Sequence, residues 1–163
     1  MHVTSRNGFY AGAAAAVALA VYLLWLWQPE RQVRLHSEHL LAAVEEKDWA
    51  DLAAFVDESY QDQWGNDRAL LLTRLRQILS YAPGLKIHTV GSGVSRLGQD
   101  DADWNARVTI EAEENELTAL MKTRVNALDT PFVFQWRHRS GKPWDWKLVR
   151  VSNDALELPD GGL

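Results

Sequence analysis

From Phe9 to Trp27 the chain carries no charged residue. This run, FYAGAAAAVALAVYLLWLW, constrains the fold more than any other stretch. Its nineteen residues rise roughly 28 Å at about 1.5 Å each, close to a hydrocarbon core of about 30 Å. Phe9 and Tyr10 stand at one end and Trp25 and Trp27 at the other, where amphipathic rings meet lipid headgroups. Gln28, Pro29, Glu30 and Arg31 close the run. A cleaved signal needs small residues before its cut, and Leu23-Leu24-Trp25-Leu26-Trp27 offers none. Residues 9–27 therefore read as an uncleaved transmembrane helix behind an N-terminal tail, residues 1–8. The flanking charges nearly balance, with Arg6 and the α-amine against Arg31 and Arg34, and lean slightly towards a cytoplasmic C-terminus. The short basic tail ahead of the first apolar run is nevertheless that of a signal-anchor. It places the soluble part on the extracytoplasmic side. Gly8, Gly12, Ala16 and Ala20, four apart, form a small-residue face on which a second copy can pack. A homodimer is one expectation; chance spacing in an Ala-rich helix is the other.

The remaining residues have room for one domain. The net charge of −5 argues against a nucleic-acid partner, because phosphate neutralisation needs a basic surface. The absence of cysteine removes disulfides, thiolate metal sites and cysteine nucleophiles together.

Helical spacing of Val33, Leu40, Leu41 and Val44 predicts a helix from about Pro29 to Glu46. Asp48, with Asp51 three residues on, caps a second short helix whose apolar face is Trp49, Leu52, Ala53 and Val56. Asn66 or Asp67 caps a third, with the stripe Leu71, Leu75, Ile78, Leu79 and Ala82 and the stop Pro83-Gly84. The rest alternates with the strand period. Lys86 to Leu97 is β-branched, with a bulge expected at Gly91 and Gly93. Trp104 to Ala112, Leu117 to Val125, Phe132 to Trp136 and Trp144 to Leu148 each show one apolar parity. The last two strands, joined through Ser140-Gly141-Lys142-Pro143, are expected to pair Trp136 with Trp146, Phe134 with Leu148 and His138 with Trp144. The expected fold is thus α+β: one transmembrane helix, then three helices packed on a bent antiparallel sheet.

Three segments then carry a family likeness: the helix pair LHSEHLLAAVEEKDWADLAAFV, the link SYQDQWGNDR into RALLLTRLRQILSYA, and the closing PFVFQWRHRSGKPWDWKLVRVSN. Over residues 31–155 the chain resembles the nuclear transport factor 2-like superfamily, or cystatin-like cone. Residues 156–163 follow as a C-terminal tail. The resemblance implies a bent sheet around helices enclosing a cone-shaped pocket. It spans isomerases, dehydratases, cyclases, transport adaptors and non-catalytic accessory domains, so fold does not fix function. Catalytic members place an Asp or His on the pocket wall. Here the inward strand parity is Trp104, Ala106, Val108, Ile110, Met121, Phe134, Trp136, Trp146 and Leu148, without a carboxylate.

Asp57, Glu58, Tyr60, Asp62 and Trp64 form an acidic, aromatic link that either lines a pocket mouth or caps a helix. His36 and His39 read as a solvated helix face, and His138 as a rim residue. No metal site, cofactor or catalytic residue is expected. The sequence favours a membrane-anchored, non-catalytic module for a small apolar ligand or a protein partner. Tyr60, Trp64, Trp104 and Trp136 are its expected ligand-binding residues. The alternative is an isomerase or dehydratase of the cone type. It requires an acid or base deep in the cavity, held by a tyrosine.

Overall fold

The computed structural model describes residues 5–156. The ends of both tails, residues 1–4 and 157–163, lie outside the described residues. The elements are α1 (Ser5–Leu26), α2 (Pro29–Glu46), α3 (Trp49–Phe55), α4 (Arg68–Ser80), β1 (Lys86–Leu97), β2 (Asp101–Glu111), α5 (Glu116–Asn126), β3 (Phe132–His138) and β4 (Trp146–Ser152). The strands form one antiparallel meander in the order β1-β2-β3-β4.

The apolar run is helical up to Leu26, as expected, but does not make a full span alone. Among the described residues no single helix is long and apolar enough to cross a membrane. Tyr10–Leu26 and Pro29–Glu46 meet that requirement only as a pair bent by 67°. From Tyr10 to Leu26 the rise is about 26 Å, a little under the hydrocarbon core.

Capping residues set the next three helices. Pro29 opens α2, and Lys47 ends it in the left-handed region at φ 56°. Asp48 accepts from the amides of Ala50 and Asp51, and Asp67 from that of Leu70. Helix α2 buries Val33, Ser37, Leu40 and Ala43 against the sheet. From the sheet side come Ala102, Trp104, Ala106, Phe134, Trp136, Trp146 and Leu148. The alternation read in β2 holds, with Ala102, Trp104, Ala106 and Ile110 buried. Gly91, at φ 64°, marks the bulge expected in β1, where pairing slips between Val90 and Gly93.

Two expectations fail. Residues 116–126 are helix α5, not a strand. Asn115 and Thr118 form a reciprocal capping box. Leu117, Met121 and Val125 recur every fourth residue, so the segment fits both periods. Met121 and Val125 pack with Leu79, Ala82, Leu85 and Ile110 in a second cluster. The Asn126 side chain bonds both backbone groups of Ile110, at 2.8 and 3.0 Å, beyond the point where β2 last pairs with β3. The β3–β4 register also differs: Trp136 faces Leu148, Phe134 faces Val151 and His138 faces Trp146. A bulge between Gln135 and Trp136 shifts the ladder. The connection is also longer than a tight turn, closed by Arg139 donating to the Asp145 carbonyl at 2.9 Å. Trp144 therefore lies outside β4 and is exposed.

Candidate functional site

The link between α3 and α4 builds the site. Val56 leaves α3 extended and bridges Leu148, and the amides of Asp57 and Gln61 donate to the carbonyls of Leu148 and Val149. The link thus runs beside β4, turning Asp57 to one side and Tyr60 into the interior. Asp62 then folds a tight turn around itself. Its Oδ1 accepts from the amides of Trp64 (2.9 Å) and Asn66 (2.8 Å). Its Oδ2 accepts from Asn66 Nδ2 (2.8 Å) and, at 3.4 Å, from the Tyr60 hydroxyl. Gly65, at φ 78°, supplies the left-handed residue the turn requires. The amide of Asn66 is thereby oriented, and its Oδ1 accepts from Arg74 Nη1 at 2.6 Å.

This turn closes one end of a cavity of about 510 Å³, within the usual range for small-molecule sites. Leu40, Leu41 and Val44 of α2 line it, with Leu71, Leu75 and Ile78 of α4 and Phe134, Leu148 and Val151 of the sheet. Tyr60, Asp62, Trp64, Asn66 and Arg74 supply its polar end. The exposed Gln77 and Tyr81 mark its mouth. The stripe read on α4 therefore faces space: of the helix proper only Leu79 is buried, while Leu71, Leu75 and Ile78 remain half-buried.

Of the four expected binding residues, the structure brings Tyr60 and Trp64 to the cavity. Trp104 and Trp136 are buried in the core instead, 1% and 0% exposed, with Trp104 edge-on to Phe134. His36 is no solvated ring. It packs edge-on against Phe55 and Trp136, and desolvation lowers its pKa. His138 is half-buried beside Trp146, its Nε2 2.8 Å from the Lys142 carbonyl. Asp57 and Glu58 turn away from the cavity. Arg139 grips Asp57 through Nε at 2.6 Å and through Nη2, and Arg68 pairs with Glu58 at 3.1 Å. Burial pushes the Asp57 carboxyl up, but the Arg139 hydrogen bond and both Ser59 donors outweigh it and hold it at about 2. Among the described residues no group of three His, Asp or Glu side chains gathers to hold a metal.

The sequence named Asp62 only within a link that lines a pocket mouth or caps a helix; its place as a buried carboxylate on the cavity wall went unread because strand parity, not the link, was where a deep carboxylate was sought. In position it meets the requirement of the enzyme reading: 5% exposed, on the cavity wall, beside a tyrosine. Its hydrogen bonds count against that role. A carboxylate offers about four acceptor positions; three donors of its own turn approach them, and the Tyr60 hydroxyl does so at 3.4 Å. The Tyr60 hydroxyl is held protonated, because burial and then the Asp62 charge push its pKa well above its ordinary value. Arg74 was also missed. An arginine three residues after Leu71 and four before Ile78, on the apolar face of α4, was the signal.

No protein-family model matches the sequence, and no curated protein matches it. Solved structures share the fold. A nuclear transport factor 2-like protein of unknown function from Pseudomonas putida aligns at a TM-score of 0.58 and 11% identity, over 80% of this chain and 89% of its own. A protein of unknown function with a cystatin-like fold from Nostoc punctiforme aligns at 0.54 and 16% identity, over 78% and 92%. A Bdellovibrio bacteriovorus protein aligns at 0.57 and 14% identity over 76% of this chain, which spans 39% of that protein's length. At these identities the likeness is one of fold. The domain has the α+β architecture of cone-fold proteins.

Proposed function

We propose that the chain is a membrane-tethered, non-catalytic module whose cone domain holds a small apolar ligand. The observation that carries this reading is the cavity itself. A solvent-open space of about 510 Å³ walled by aliphatic side chains is costly to leave facing water unless something apolar occupies it. The tether reading rests on α1. Val17, Leu19, Val21, Tyr22, Leu24 and Trp25 are all exposed, an apolar surface that lipid would cover. In this reading the domain lies on the extracytoplasmic side, and Gly12, Ala16 and Ala20 offer the face for a second copy.

Methyl resonances of Leu71, Leu75 and Ile78 in the full chain, carried in lipid nanodiscs, test the binding claim. Toluene should shift these methyls saturably and leave the Leu85 methyls unmoved. Unmoved cavity methyls would sink the reading.

The position of Asp62 beside Tyr60 favours one second reading, a proton-transferring isomerase or dehydratase. Exchange of the methyl protons of acetophenone in heavy water separates the two. The binding module gives the same rate with the wild-type chain and with Asp62→Asn. An enzyme loses rate in the variant.

A further inference from the structure

We infer that the cavity takes an apolar monocarboxylate, with its carboxylate on Arg74 and its hydrocarbon between α2, α4 and the sheet. The inference rests on the binding reading above and adds the chemistry of the ligand's head. Three other cations of the domain are already engaged. Arg68 holds Glu58, Arg139 holds Asp57, and Lys147 donates to the Ala54 carbonyl. Arg74 differs. It sits on the cavity wall, pairs with no carboxylate among the described residues, and donates through Nη1 to Asn66 Oδ1. That bond fixes the guanidinium and leaves donors on Nε and Nη2 unused by the relay.

The relay also fixes the sign of the ligand. Asp62 is the acidic group on this wall, and its acceptor positions face three donors of its own turn and the Tyr60 hydroxyl. Asn66 gives its amide nitrogen to Asp62 and its oxygen to Arg74. What remains at the polar end is a planar, donor-only fork, the partner geometry of a carboxylate. An amine meets the like charge of the guanidinium there. The nearby Asp62 charge opposes a second negative charge on the ligand, so a single carboxylate fits better than a phosphate dianion. Beyond the fork, Val44, Leu71, Leu75 and Phe134 line space for a short aliphatic or aromatic tail.

The test titrates octanoate, octanol and octylamine into the full chain in phosphatidylcholine nanodiscs. The readout is the indole N–H resonance of Trp64, identified by its loss in Trp64→Phe. Octanoate should bind the wild-type chain about tenfold more tightly than it binds Arg74→Gln, the usual scale of a charge-assisted contact at a half-exposed site. Octanol should bind both chains alike, which shows the variant's cavity intact, and Arg74→Lys should restore part of the octanoate affinity. Octylamine should bind the wild-type chain at least tenfold more weakly than octanoate, a comparison that needs no variant. Octanoate binding undiminished in Arg74→Gln, or octylamine binding as tightly as octanoate, overturns the head-group assignment and leaves the binding reading standing. If none of the three moves Trp64, the binding reading fails and the assignment fails with it.

Discussion

Asp57 and Asp62 are five residues apart and both buried, yet they do different work. Asp57 ties the α3–α4 link to the β3–β4 connection through Arg139. Its folded pKa, about 2, lies below the ordinary value of an aspartate carboxyl. The charged form is thus favoured by folding. The stabilisation is complete above about pH 4 and is lost as pH falls towards 2. Denaturant unfolding from pH 5 to pH 2.5 should show a fall of about 1–2 kcal/mol that is absent in Asp57→Asn. An unchanged pH slope in the variant would show that the clasp does not hold the link. Asp62 organises the cavity's polar end, so Asp62→Ala should cost about 3 kcal/mol by stranding the amides of Trp64 and Asn66 and the Tyr60 hydroxyl. At this scale the sequence showed the acidic, aromatic link but not its division. Which of Asp57 and Asp62 faces inward depends on the bridge between Val56 and Leu148, more than ninety positions apart, and no local pattern encodes that contact.

Helix α4 shows how one apolar stripe serves two purposes. Leu79 joins Ala82, Leu85 and Ile110 in a closed cluster, while Leu75 faces the cavity. Leu79→Ala should therefore cost about 3 kcal/mol, and Leu75→Ala about 1 kcal/mol, because truncation there enlarges a space that already exists. Equal losses by urea denaturation would mean that Leu75 is packed rather than lining a cavity. The extent of α2 and the caps of α3 and α4 were legible because Pro29, Asp48 and Asp67 act locally. Helix α5 was not, since Leu117, Met121 and Val125 satisfy both the four-residue and the two-residue spacing. The β3–β4 register was misread for another reason. The bulge at Gln135 and Trp136 leaves no mark in residue type, and a slip there moves every downstream pair.

At the scale of the whole molecule, contacts at the C-terminal end of α1 join it to the domain. Trp27, just after α1, lies ring to ring 6.2 Å from Trp144 of the β3–β4 connection, tilted by 50°, the Arg31 guanidinium lies 3.3 Å over Trp25, and Gln32 Nε2 donates to the Leu26 carbonyl at 2.7 Å. The exposed apolar face of α1 predicts that the full chain stays with membranes through alkaline extraction, and that its intact mass includes residues 9–27. Release by carbonate would contradict the tether. The three helices that open the domain, and with them its cone-type α+β class, were legible in the sequence; the helix α5 set between β2 and β3 was not, and neither was the cavity. Its existence depends on α2, α4 and β3 standing apart, a property of packing between elements rather than of any one of them.

The central claim is that this space is open, apolar and available. Xenon enters apolar cavities that water leaves dry, so diffraction from crystals of the full chain under xenon pressure tests the claim most directly. The account predicts xenon density between Val44, Leu75 and Phe134. Crystals in which Leu75 and Phe134 are in van der Waals contact, with no xenon between α2 and α4, would contradict it.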